Sequence, residues 1–98
     1  MVIISKTRLV EFYEIDSKAK EPLMNWYNIA MSSNWNNFSE VKNDFNSVDS
    51  VGNKRFVFNI GGNKYRLVVL MFFNIRTIYI RFIGTHKEYD KIKNIKKV

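Results

Sequence analysis

Ninety-eight residues at 11.7 kDa suffice for one compact core, because a chain of this size hides roughly two-thirds of its unfolded surface. The expectation is a single domain over residues 1–98. Sixteen Lys and Arg against nine Asp and Glu give a formal charge of +7, and the surplus is lopsided: residues 1–50 carry five basic and seven acidic groups, whereas residues 51–98 carry eleven basic groups against Glu88 and Asp90. That asymmetry points to a polyanionic partner, while the absence of cysteine excludes a disulfide framework and a thiolate metal site and suits a reducing, cytoplasmic compartment.

Taken in chain order, Val2-Ile3-Ile4 reads as a short strand, too short an apolar run for a signal peptide. Ser5 can cap a helix in which Leu9, Phe12 and Tyr13 share a face. A second helix over about 18–32 presents Ala19, Leu23, Trp26, Tyr27 and Ala30 along one stripe, the pattern of a core-facing surface. Pro22 belongs in its first turn, where the amide has no partner to lose. Residues 33–37 read as polar loop around Trp35, Ser39 as the cap of a short helix containing Val41 and Phe45, and residues 46–53 as turn-rich.

From Lys54 the hydrophobic period changes to two. The pattern predicts strands at Arg55–Ile60, Asn63–Phe73 and Ile78–Ile83, with Gly61-Gly62 as a two-residue hairpin turn. In that register Phe58 faces Tyr65, Met71 faces Ile80 and Thr85 falls opposite Arg66. One sheet face then collects Phe56, Phe58, Ile60, Tyr65, Leu67, Val69, Met71, Ile78, Ile80 and Phe82, which the helices must cover. The other face mixes Arg55, Lys64, Arg66 and Arg81 with Val57, Val68, Leu70, Phe72, Tyr79 and Ile83, and reads as a binding surface partly covered by the C-terminal helix or by a partner. After Gly84, Thr85-His86-Lys87-Glu88 has the form of a capping box opening a terminal helix to about Lys97, with Asp90 one turn from His86. The longest apolar run, Leu67 to Phe73, is seven residues, far below the ~20 of a membrane helix, and no membrane partner is expected.

The single histidine and the sparse carboxylates of the second half give no metal constellation, and no cofactor is expected. Gly61-Gly62-Asn63-Lys64 lacks the spacing of a phosphate loop, and a hairpin explains its glycines. Arg66 is either a strand arginine that snorkels or pairs with Asp90, or the notable member of a cationic patch. His86 is either an ordinary first-turn residue or an acid/base group beside the cationic face. Tyr89 either packs or serves a nucleotide. The Lys91–Lys97 run is a solvated tail that adds to the attractive field.

The segments Asn63-Lys64-Tyr65-Arg66-Leu67-Val68, Tyr79-Ile80-Arg81-Phe82-Ile83-Gly84 and Thr85-His86-Lys87-Glu88-Tyr89-Asp90-Lys91-Ile92 resemble, over nearly the whole chain, the HigB family of bacterial toxins. The resemblance implies an α+β, RelE-like fold: N-terminal helices packed on one face of a small antiparallel sheet, with a short C-terminal helix. It further implies a metal-independent endoribonuclease that cleaves messenger RNA on translating ribosomes. A HigA-type helix-turn-helix antitoxin would neutralise it, and operator DNA would be reached only through that antitoxin. Carried onto this chain, the catalytic candidates are His86, Arg66 and Tyr89. The RNA-binding candidates are Arg55, Lys64, Arg81, Lys87 and Lys91. Two other readings stay open: a non-catalytic RNA- or ribosome-binding module that uses the same cationic face, and a RelE/ParE-like gyrase poison that shares the fold.

Overall fold

A computed structural model describes residues 1–98. Its elements run β1 (Val2–Ile4), α1 (Lys6–Ile15), a 3-10 turn (Ser17–Ala19), α2 (Lys20–Ser32), α3 (Phe38–Asp44), β2 (Asp49–Gly52), β3 (Arg55–Ile60), β4 (Tyr65–Phe72), β5 (Thr77–Thr85), α4 (His86–Asp90) and a 3-10 turn at Ile95–Lys97. The five strands form one sheet in the order β1-β5-β4-β3-β2. The architecture is α+β as expected, but the sheet is mixed, because β1 joins the edge of β5 in parallel. A parallel pair needs a long crossover, and here all three first helices lie between β1 and the hairpins.

The core is one cluster in which Leu9 of α1 and Leu23, Trp26 and Ala30 of α2 meet Phe56, Phe58, Ile60, Leu67, Val69, Met71, Ile78 and Ile80 of the sheet. This is the inward face that period-two reading assigns. Pro22 falls at the third position of α2, inside the first turn, where the ladder loses nothing. The polar loop residue Trp35 is instead buried, its Nε1 donating to Asp44 Oδ2 at 2.8 Å.

Local details correct the sequence reading. Ser5 precedes α1 with φ +74° and makes no side-chain cap bond. Asn37, not Ser39, caps α3, its Oδ1 accepting from the Glu40 amide at 3.0 Å. Accordingly Asn37→Ala should cost about 1 kcal/mol and Ser39→Ala close to nothing. Paired chemical denaturation curves check this, and equal losses would contradict the assignment. β2, read as turn, pairs with β3 from Asp49↔Val57 onward.

Both hairpins shift register by two residues, and the first has a longer loop than expected. Ile60 pairs with Tyr65 and Phe58 with Leu67, so residues 61–64 all belong to the loop, with Gly61 and Gly62 at φ +62° and +71°, values glycine adopts without penalty. Met71 pairs with Ile78 rather than Ile80. A shift of two residues preserves which face each side chain takes, which is why the core assignment survives.

Further along β5 a bulge changes the parity. Val69 pairs with Ile80, but Val68 pairs with Phe82, leaving Arg81 as the extra residue. Beyond it Ile83, opposite Leu67, packs on the core, whereas Phe82 lies opposite Val68 on the outer face. The two residues exchange their expected sides, as a single inserted residue must make them. Arg66 pairs with Gly84, and Thr85 with Tyr65.

The terminal helix ends at Asp90 after five residues rather than running to about Lys97. The chain then returns over the outer face: Asn53 Nδ2 donates to Lys96 O at 2.9 Å, and Arg55 and Arg81 donate to Val98 O at 3.0–3.3 Å. Val57 and Val68, outward by parity, are nevertheless buried. The C-terminal segment is thus one occupant of the apolar outer face. No helix is long and apolar enough to cross a membrane.

Candidate active site

An open cleft of about 770 Å3 is built where three segments converge. Ile15, Asp16, Ser17 and Lys18 supply one wall from the end of α1 and the following 3-10 turn. Asn63, Lys64 and Tyr65 supply a second from the β3–β4 hairpin. Thr85, His86 and Lys87 complete it from the junction of β5 and α4. The backbone explains why these groups sit together. Tyr65 and Thr85 are a registered pair, and the His86 amide donates to Lys64 O at 3.1 Å.

The expected capping box is present. Glu88 N donates to Thr85 Oγ1 at 3.2 Å, and Thr85 N donates to Glu88 Oε1 at 2.7 Å. Two otherwise orphaned amides are thereby satisfied, which fixes the first turn of α4 and the direction in which His86 leaves it. Gly84, in β5 opposite Arg66, lacks a Cβ that would stand 2.6 Å from Phe82 Cζ and 3.0 Å from Glu88 Oε1. Along α4, His86 Nδ1 lies 3.0 Å from Asp90 Oδ2, with both side chains about half exposed.

Of the candidate residues, His86, Lys64 and Lys87 line this cleft. Arg66 is close by on the outer face of β4. Its Nη1 donates to Asn63 O and Tyr65 O, both at 3.3 Å. Tyr89 is half-buried on α4, three residues beyond His86, and Lys91 is exposed at the end of that helix. Arg55 and Arg81 are not brought to the cleft. Arg55 pairs with Leu70, four residues along β4 from Arg66, or about 13 Å at strand spacing. Both arginines hold the carbonyl of Val98.

Sequence reading missed Asp16, Ser17 and Lys18. They follow the last periodic residue of α1 and carry no motif. What places them is tertiary: the start of α2 packs near the hairpin, where a Cβ at Gly61 would stand 3.6 Å from Pro22 Cγ. Lys18, Lys64 and Lys87 therefore face one another across the cleft, with Asp16 as the single lining carboxylate.

Tyr65 and Asp16 both line the cleft. Burial first, then a hydrogen bond to Asp16 and its negative charge, hold the Tyr65 phenol above its ordinary value near 10. A raised pKa of an acid means the neutral form is favoured in the fold. The corresponding stability is fully present below pH ~10 and is lost as pH rises through the folded-state value. Tyr65→Phe should therefore flatten the alkaline fall in thermal midpoint above pH 10 relative to wild type. Superimposable alkaline limbs would contradict the pairing.

A family model described as HigB_toxin, RelE-like toxic component of a toxin-antitoxin system, matches residues 19–92. The mRNA interferase toxin HigB of Escherichia coli (strain K12) is 54% identical over 37 residues, 38% of this chain and 36% of that protein. The mRNA interferase HigB of Shigella flexneri matches to the same extent. These alignments span about a third of those relatives. The mRNA interferase HigB of Escherichia coli O6:H1 is 29% identical over 97 residues, 94% of this chain and 91% of that protein. With the family model covering most of the chain, including the hairpin, the end of β5 and α4, the protein belongs to the HigB toxin family.

Proposed function

We propose that this protein is the toxin of a toxin–antitoxin pair and a metal-independent endoribonuclease that cleaves messenger RNA in the cytoplasm, in association with translating ribosomes. Its neutralising partner would be a HigA-type helix-turn-helix antitoxin, with operator DNA engaged only through that antitoxin. The observation that carries the reading is a lone histidine in an open cleft flanked by three lysines, with one ring nitrogen engaged by Asp90 and the other free. The relatives are named mRNA interferases, which favours catalysis over a non-catalytic RNA-binding module or a gyrase poison.

The chemistry that fits this residue set uses the substrate's own nucleophile. The 2′-oxygen attacks the adjacent phosphorus, a new 2′-O–P bond forms and the P–O5′ bond breaks. The 2′-hydroxyl proton passes to a base, and an acid gives a proton to O5′. The products are a 2′,3′-cyclic phosphate and a 5′-hydroxyl. His86 Nε2 takes one of these proton transfers. Arg66 stabilises the charge that builds on the phosphorane. Its two long backbone bonds occupy only Nη1, leaving Nη2 and Nε as donors for phosphate oxygens. Lys64 and Lys87, joined by Lys18, hold the flanking phosphates, and Tyr89 stacks on a nucleotide or donates to it. Arg55, Arg81 and Lys91 contribute only to the longer-range field.

The test is cleavage of a defined message in a reconstituted translation reaction. Wild-type protein should cut it, and uncleaved message would contradict the function. Unchanged DNA supercoiling in a gyrase assay is also expected.

A further inference from the structure

We propose that Asp90 is a positioning residue for His86: its carboxylate holds the imidazole as the Nδ1–H form and leaves Nε2 as the nitrogen presented to the cleft. The inference rests on the endoribonuclease reading of the same cleft. It adds a residue that touches no substrate and acts through the histidine.

Three observations carry it. First, Asp90 Oδ2 lies 3.0 Å from His86 Nδ1, and an ionised carboxylate can only accept, so the proton between them belongs to Nδ1. Free imidazole favours the opposite tautomer, with hydrogen on Nε2. The pairing therefore reverses an intrinsic preference that would otherwise cap the base nitrogen. Second, His86 lines the cleft and Asp90 does not. The ring is thus gripped from behind, with Nε2 on its far side. Third, the segment carrying both residues is fixed independently, by the Thr85–Glu88 capping box and by the His86 amide bonded to Lys64 O. The i, i+4 spacing alone places the two side chains on one face.

The surroundings make the carboxylate necessary. The charged groups that face the imidazole are Lys64 from the hairpin, Lys87 on its own helix, and Lys18 with Asp16 from the segment after α1. Glu88 is committed to the cap. Asp90 is the carboxylate at contact distance of the ring, 3.0 Å from Nδ1. Because both partners are about half exposed, the pair is screened. Its main effect is orientation, on the order of a 10- to 100-fold change in turnover.

His86 is the single histidine of the chain, so nitrogen-15 NMR of the full-length protein reads its tautomer directly. Above the imidazole titration, wild type should show a protonated Nδ1 and a bare Nε2. Asp90→Asn and Asp90→Ala should move the population toward Nε2–H. In message cleavage, Asp90→Asn should lower kcat about 10- to 100-fold with KM near wild type. Asp90→Glu, which keeps a carboxylate on the same face, should recover part of the lost turnover and of the Nδ1–H population. An Nε2–H histidine in wild type, or a tautomer and turnover indifferent to all three substitutions, would overturn the proposal. A wild-type protein that keeps the Nδ1–H form but cleaves no message overturns the endoribonuclease reading alone and upholds what Asp90 imposes on the ring.

Discussion

His86→Ala should reduce message cleavage by about 10²- to 10⁴-fold, the range one acid/base group supplies, while leaving the fold intact. Half exposed and at the first position of α4, the side chain buries little, and its anchoring bonds come from backbone and from neighbours: the His86 amide to Lys64 O, and the reciprocal bonds of Thr85 and Glu88. Stability measured by thermal or chemical unfolding should therefore move by no more than ~0.5 kcal/mol. RNA affinity should fall far less than turnover, because the lysines that face the cleft are untouched. The contrast with a non-catalytic RNA-binding module is direct. That alternative predicts salt-dependent binding that weakens with each lost cation and is indifferent to His86. Equal cleavage by wild type and His86→Ala would remove the histidine from the mechanism.

The opposite profile, loss of fold rather than chemistry, is expected for Phe58→Ala. Phe58 is 1% exposed and stands edge-to-face between Trp26 of α2 at 5.4 Å and Phe45 beyond α3 at 5.2 Å. It is thus the point at which two helical elements and β3 meet. Truncating a buried phenylalanine costs about 3–5 kcal/mol, from lost transfer energy and from the cavity left behind. Both aromatic edge contacts go with it. A domain of this size holds only ~5–15 kcal/mol in total, so a shift of the denaturation midpoint should be large and residual activity should track the folded fraction. Phe58→Leu, which keeps most of the volume, should recover much of the loss. A midpoint shift under ~1 kcal/mol for Phe58→Ala would contradict this placement of the core.

How far the molecule could be read in advance depended on the kind of information each feature uses. The inward face of β3 and β4 was legible because period-two alternation is written in adjacent residues, and a two-residue error in hairpin register leaves it unchanged. The capping box at Thr85 and Glu88 was legible for the same reason: its partners are three residues apart. Features that depend on contacts distant in sequence were not. The bulge at Arg81, which sends Phe82 outward and Ile83 inward, leaves no local mark. Nor does the parallel pairing of β1 with β5, or the recruitment of Asp49–Gly52 as an edge strand. The same division runs through the site. His86, Lys64 and Lys87 share the cleft because strand register brings hairpin and strand end together. Lys18 joins them only through the docking of α2. Arg55 and Arg81, grouped with them by parity alone, instead bind the returning C-terminal segment.

Among the cations of the second half, Lys64 and Lys87 line the cleft whereas Arg55 and Arg81 clasp the C-terminal segment, and the proposed chemistry belongs to the cleft. The most direct test is to recover the ends of a message cut during translation, with a chelator added to the isolated cleavage step, by wild type and by His86→Ala. The account predicts 2′,3′-cyclic phosphate and 5′-hydroxyl ends with wild type, unaffected by chelation, and cleavage reduced by at least ~100-fold with the variant. Ends bearing 3′-hydroxyl and 5′-phosphate, cleavage abolished by the chelator, or equal cutting by the variant would contradict it.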